Sequence, residues 1–92
     1  MNLRLDRAIT GLMSTIASLH NEDDFCLFMS FSGHIGMINI DVHENGYESE
    51  KWPTHQLRTY FSQPELAPDP IEDIHAIEDK LIEIHDKYRG KK

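Results

Sequence analysis

Cysteine is nearly missing from this 92-residue chain, in which Cys26 stands alone. A single thiol excludes an internal disulfide, a secreted disulfide scaffold and a cysteine-rich zinc finger, and points to a reducing, cytoplasmic setting. Long apolar runs are missing too: no stretch approaches the roughly 18 residues that a membrane span requires, and the charged start Met1–Arg7 does not read as an export signal. Positive charge is scarce, with nine Lys and Arg against sixteen Asp and Glu, a net charge of −7. That sign is wrong for wrapping a phosphate backbone, so nucleic acid is not expected as a direct ligand, and neither is a membrane. The length leaves room for one hydrophobic core, and residues 1–92 are read as a single domain.

What is present sorts into clear periodicities. Leu5, Ile9, Leu12, Ile16 and Leu19 recur every three or four residues and predict a helix over 3–20, with Gly11 suggesting a closely packed neighbour. From Phe25 the period drops to two. Phe25, Leu27, Met29 and Phe31 alternate with Cys26, Phe28, Ser30 and Ser32, and Ile38, Ile40 and Val42 alternate with Asn39, Asp41 and His43. Only an even-length turn lets the two apolar faces coincide. The simplest is a two-residue loop at Gly33 and His34, with Gly33 at positive φ, pairing Met29 with Ile38, Leu27 with Ile40 and Phe25 with Val42. Asn45 and Gly46 form a second hairpin signal, leading to a short third strand over 47–52 whose Glu48, Glu50 and Lys51 would protect an edge.

Thr54 followed by Leu57, Tyr60 and Phe61 reads as a capped two-turn helix, and 63–68 as a linker. Asp69, Pro70, Ile71 and Glu72 have the spacing of a capping box. An apolar stripe runs on through Ile74, Ile77, Leu81, Ile84 and Tyr88, with Lys87, Arg89, Lys91 and Lys92 at the negative end of the helix dipole. The expected fold is therefore α+β: an N-terminal helix, a three-stranded antiparallel meander, a short helix and a long C-terminal helix packed on one sheet face. Packing on the Phe25, Leu27, Met29 face is preferred to a coiled coil, because each helical seam lasts only about two and a half heptads.

Charge is unevenly spread. Residues 21–50 hold seven acids and no Lys or Arg. If they share one surface, nothing in the segment compensates their repulsion, and the surface suits a basic partner. The candidate contact residues are Asp23, Asp24, Asp41, Glu44, Glu48 and Glu50. Solvation of a small acidic domain explains the same charge without any partner. Phe28, Ile35 and Met37 form an apolar patch on the outer sheet face, for a helix, a partner or a second copy to cover.

Chemistry-bearing clusters are weak. Cys26, Asp41 and His43 have the parts of a nucleophilic site, but neighbouring acids raise a thiol's pKa and no oxyanion donors are evident. His75 with Asp79 and Glu72 lacks a second histidine on its face, since His85 lies ten positions on. Gly33 and Gly36 lack the context of a phosphate loop. The chain is therefore read as no enzyme, with no catalytic residue, metal or cofactor.

In its organisation the chain resembles small acidic phage proteins of the anti-CRISPR kind: an opening helix, the Asn45–Gly46 hairpin, a short helix after Trp52 and an acidic balance. That resemblance implies an inhibitor whose carboxylates stand in for phosphates and occlude a basic, nucleic-acid-binding surface of a host protein. The alternative is a homo-oligomeric adaptor built on the apolar helix and sheet surfaces.

Overall fold

The computed structural model describes residues 3–21, 23–63 and 65–90; Met1, Asn2, Glu22, Pro64, Lys91 and Lys92, named or spanned by the expectations above, lie outside the described residues. The order is α1 (Leu3–Leu19), β1 (Phe25–Ser32), β2 (Met37–Glu44), β3 (His55–Tyr60) and α2 (Pro70–Gly90). The strands form one antiparallel sheet in the order β1-β2-β3. The fold is α+β, as the change of hydrophobic period from helix to strand to helix requires.

Both helices cover the same side of the sheet. The core joins Leu5, Ile9 and Leu12 of α1 and Ile74, Ile77, Leu81, Ile84 and Tyr88 of α2 to Phe25, Leu27, Ile38, Ile40 and Val42. Thr15 Oγ1 donates to Glu78 Oε2 at 2.8 Å, and Arg4 and Arg7 lie beside Ile71 and His75, so the helices run in the same direction. Among the described residues, no helix packs on the other sheet face. Asp69 Oδ1 accepts the Glu72 N–H at 3.1 Å, so the cap of α2 forms at the expected position. A Cβ at Gly11 would meet nothing within 4 Å, so no close neighbour explains that glycine.

The first hairpin keeps the expected parity but not the expected register. Its turn is four residues, 33–36, and the pairs are Leu27 with Val42, Met29 with Ile40 and Phe31 with Ile38. Every β1 residue thus pairs two positions further along β2 than a two-residue loop would set. Gly36, not Gly33, takes the left-handed conformation, at φ 63°. Position 36 excludes any side chain as well: a Cβ there would lie 1.7 Å from Ser62 Oγ. Even parity survives because an odd slip would expose the whole apolar set of one strand.

The third strand lies later than expected. Asn45 and Gly46 do reverse the chain, both at positive φ, but residues 47–54 form a loop and the strand is His55–Tyr60. No short helix forms at 54–61. Leu57, Tyr60 and Phe61 fit helical spacing, but over so short a run the alternation of Leu57 and Thr59 with Gln56, Arg58 and Tyr60 fits a strand equally, and pairing with β2 decides. Thr54 closes the loop instead of capping a helix: its N–H donates to Val42 O at 2.7 Å, and its hydroxyl accepts the Glu44 N–H at 3.3 Å.

Candidate contact surface

The helix-free face is built in rungs. Cys26 stands opposite His43; Phe28, Asp41 and Gln56 share the next rung; Ser30, Asn39 and Arg58 the next; and Ser32, Met37 and Tyr60 the last. The later position of β3 thus brings an arginine onto a face that the sequence between 21 and 50 leaves without one. Asp41 Oδ1 accepts from Asn39 Nδ2 at 2.9 Å and Gln56 Nε2 at 3.1 Å, and Arg58 Nε donates to Asn39 Oδ1 at 3.4 Å. These four side chains form one hydrogen-bonded cluster over two rungs of β2 and β3.

At the Cys26 end the 45–54 loop folds back over the face. The rings of Phe28, His43 and Tyr47 meet edge to face, with centroids 5.2–5.4 Å apart. Such perpendicular pairs suit the ring quadrupole and add about 0.5–1.5 kcal/mol each beyond area burial. His43 and Cys26 are buried, whereas Phe28 remains 42% exposed and Tyr47 53%. Trp52, further along the same loop, is 87% exposed. An aromatic group of this size in solvent is the kind of surface that contact sites use. Ile35 and Met37 lie at the opposite end of the face. Met37 is two rungs from Phe28, about 13 Å at strand rise, so the expected apolar patch is two patches divided by the Ser30–Asn39–Arg58 row.

The six acids are only partly gathered. Asp23 and Asp24 precede β1, and Glu44 ends β2 beside them; Asp41 lies mid-face; Glu48 and Glu50 are on the exposed loop rather than on a strand. Asp24 Oδ1 lies 2.5 Å from Tyr88 Oη, which is also 3.1 Å from Asn45 Oδ1, so the last turn of α2 ties down the start of both β1 and the loop. Glu44 Oε1 is 2.8 Å from His55 Nε2 and lines a cleft of about 130 Å³ with Lys80, Glu83 and Lys87. Glu48 pairs with Lys51 at 3.3 Å. The expectation of acids without cationic company therefore fails at Glu48, and Glu44 shares its cleft with Lys80 and Lys87. Asp23 and Glu50 remain exposed and make no ion pair among the described residues. Glu83 itself is held below its ordinary 4.5, first by the hydrogen bond from Lys87, then by the charges of Lys80 and Lys87.

The remaining clusters resolve simply. Cys26 faces His43 rather than Asp41, and both are buried beside Phe28 and Tyr47, so the thiol is not open to substrate. His75 Nδ1 pairs with Glu78 at 3.4 Å, and His85 packs edge-on against Phe25. No group of three metal-ligating side chains occurs among the described residues, and no described helix is long and apolar enough to cross a membrane. The residues that sequence reasoning missed are Tyr47, Trp52 and Arg58. The signal for two of them was an aromatic pair flanking an acidic, proline-terminated loop; Arg58 was hidden by the helical reading of its segment. Comparison with family models, curated proteins and solved structures finds no match.

Proposed function

We propose that this chain is a non-enzymatic protein-binding module, whose contact surface is the helix-free sheet face and the 45–54 loop. Phe28, Tyr47 and Trp52 form the centre, with Asp41 beside Phe28 on the face; Asp23, Glu48 and Glu50 form the acidic rim. The partner is a basic protein surface of the kind that holds nucleic acid, and occupying it inhibits that protein. One observation carries this reading: Phe28 and Tyr47 stand half in solvent beside buried His43 on the face that no described helix covers, and Trp52 is 87% exposed on the loop that folds back there. Aromatic anchors with a charged rim are the usual anatomy of a contact site. A non-catalytic role is supported by the engagement of Asp41 with two amides and the burial of Cys26 and His43.

The test begins with a partner recovered on the immobilised chain and purified. Replacing Phe28, Tyr47 and Trp52 singly by Ser should weaken binding at least about 30-fold at one or more positions, the hot-spot scale of roughly 2 kcal/mol. Neutralising Asp23, Glu48 and Glu50 together should slow association and flatten its salt dependence between about 50 and 500 mM, over which the screening length falls from above about 10 Å to about 4 Å. Binding indifferent to both sets removes the proposal. A second copy of the chain is the competing occupant of the aromatic centre; light scattering that shows a dimer dissociated by Trp52→Ser would select it instead.

A further inference from the structure

The two sheet edges differ. Along β1, the Phe25 N–H donates to Asn21 O at 2.9 Å, the Asn21 N–H returns to Phe25 O at 2.9 Å, and the Leu27 N–H donates to His20 Nδ1 at 3.1 Å. That edge is half covered by its own chain. Along β3, the Phe61 N–H donates to Gly36 O at 2.8 Å, which sets the hydrogen-bonded pairs at Ile38–Thr59, Ile40–Leu57 and Val42–His55. The backbone groups of Gln56, Arg58 and Tyr60 therefore point away from β2, and no hydrogen bond within the described residues takes them. The loop position of Glu48 and Glu50 also removes the charged protection expected for this edge.

Beside this edge lies a groove of about 330 Å³, between Arg58, Thr59 and Tyr60 of the strand and Asp73, Ala76 and Ile77 of the helix, with Leu66 and Ala67 of the connecting segment completing its wall. Thr59 is 4% exposed, and its hydroxyl has no hydrogen-bond partner among the described residues. The groove wall is thus one hydrogen bond short, in addition to the unpaired backbone. Alternating N–H and C=O groups at strand spacing are matched only by another extended backbone.

We propose that an extended peptide segment of a partner protein adds to β3 as a fourth strand. Its backbone pairs with Gln56, Arg58 and Tyr60. Its alternate side chains are apolar, entering the groove against Ala76 and Ile77, and those between them lie on the outer face, with a carboxylate opposite Arg58. Charge selects this occupant over a second copy. An antiparallel pairing of β3 with its own image that used all three outward residues would set Arg58 directly against Arg58, whereas no carboxylate of the described residues lies within 4.0 Å of that guanidinium. The site borders the helix-free face through Gln56 and Arg58, which hydrogen-bond Asp41 and Asn39, but uses none of its aromatic residues, Phe28 lying two strands away.

The probes are end-blocked octapeptides with valine, leucine or alanine at even positions, threonine at odd ones, and a glutamate or a lysine at the fifth. Binding of the glutamate series should slow amide exchange at Gln56, Arg58 and Tyr60 at least about tenfold while leaving Phe28 and Tyr47 unmoved. Arg58→Pro deletes one outward donor and none that serves β2, as edge prolines do, and should weaken binding about five- to tenfold. Arg58→Glu should reverse the preference from the glutamate to the lysine peptide, a change of about two- to fivefold in each direction. Failure of every peptide to protect the three amides at 1 mM would overturn the proposal. So would a preference that Arg58→Glu leaves unchanged, or protection that grows with protein concentration alone. Phe28→Ser should leave peptide binding intact, which separates this test from that of the aromatic surface.

Discussion

Tyr88 joins the last helix to the end of the sheet where Asp24 and Glu44 stand, and removing its hydroxyl tests how that end is held. Tyr88→Phe keeps the ring, which is 5% exposed and packs 5.5 Å from Phe25, and deletes the oxygen that lies 2.5 Å from Asp24 Oδ1 and 3.1 Å from Asn45 Oδ1. A hydrogen bond to a carboxylate contributes about 1.5–3 kcal/mol, and Asp24 is half-buried, so water recovers part of the loss. The expected destabilisation is about 1.5–2 kcal/mol, which for a chain of this size lowers Tm by about 6–16 °C. Urea unfolding should give the same loss without a change in slope, since the surface exposed on unfolding is unaltered. A double-mutant cycle with Asp24→Ala should return a coupling of about 1 kcal/mol or more. A loss under about 0.5 kcal/mol, or additive effects of the two substitutions, would refute the view that this contact pins β1 and the loop to α2.

Other consequences follow from single residues. Gly36→Ala should cost about 2 kcal/mol or more by urea unfolding, because the new methyl meets Ser62 and the backbone is left-handed, whereas Gly33→Ala should stay within about 0.5 kcal/mol. Leu81→Ala, at a fully buried core position, should cost about 2–5 kcal/mol. Asp69→Ala should cost about 1 kcal/mol and reduce helicity at the start of α2 in amide-exchange data. The Glu83 carboxyl should titrate below 4.5 by carbon NMR and return toward it in Lys87→Ala. Since its folded pKa is lowered, whatever stability this exposed cluster adds is present above the ordinary glutamate range and is lost as pH falls through the lowered value.

How far the sequence could be read depended on how many residues voted on each element. Both long helices were legible because five or six apolar residues kept a single period in each, and Asp69 with Glu72 marked the start of α2. The face of the first hairpin was legible from Leu27, Met29, Ile38 and Ile40, since parity alone decides it. Its register was not, because a loop of two residues and one of four both preserve parity; in the longer turn Gly36 takes positive φ at a position where a Cβ would meet Ser62, 26 positions away. Residues 54–61 carried too few apolar positions to distinguish a two-turn helix from a six-residue strand, and pairing with β2 made the decision. That error hid Arg58 and moved Glu48 and Glu50 off the sheet. The candidate site was legible as charge on 21–50 and as Phe28; Tyr47 joined it only through a fold-back of the loop onto His43.

The most direct measurement is the affinity of the purified partner for the wild-type chain and for Trp52→Ser and Tyr47→Ser, each shown to unfold at the wild-type urea midpoint. A drop of at least about 30-fold with stability unchanged is expected if the uncovered sheet face and its loop make the contact. Unaltered affinity in both variants would place the binding elsewhere and contradict the reading.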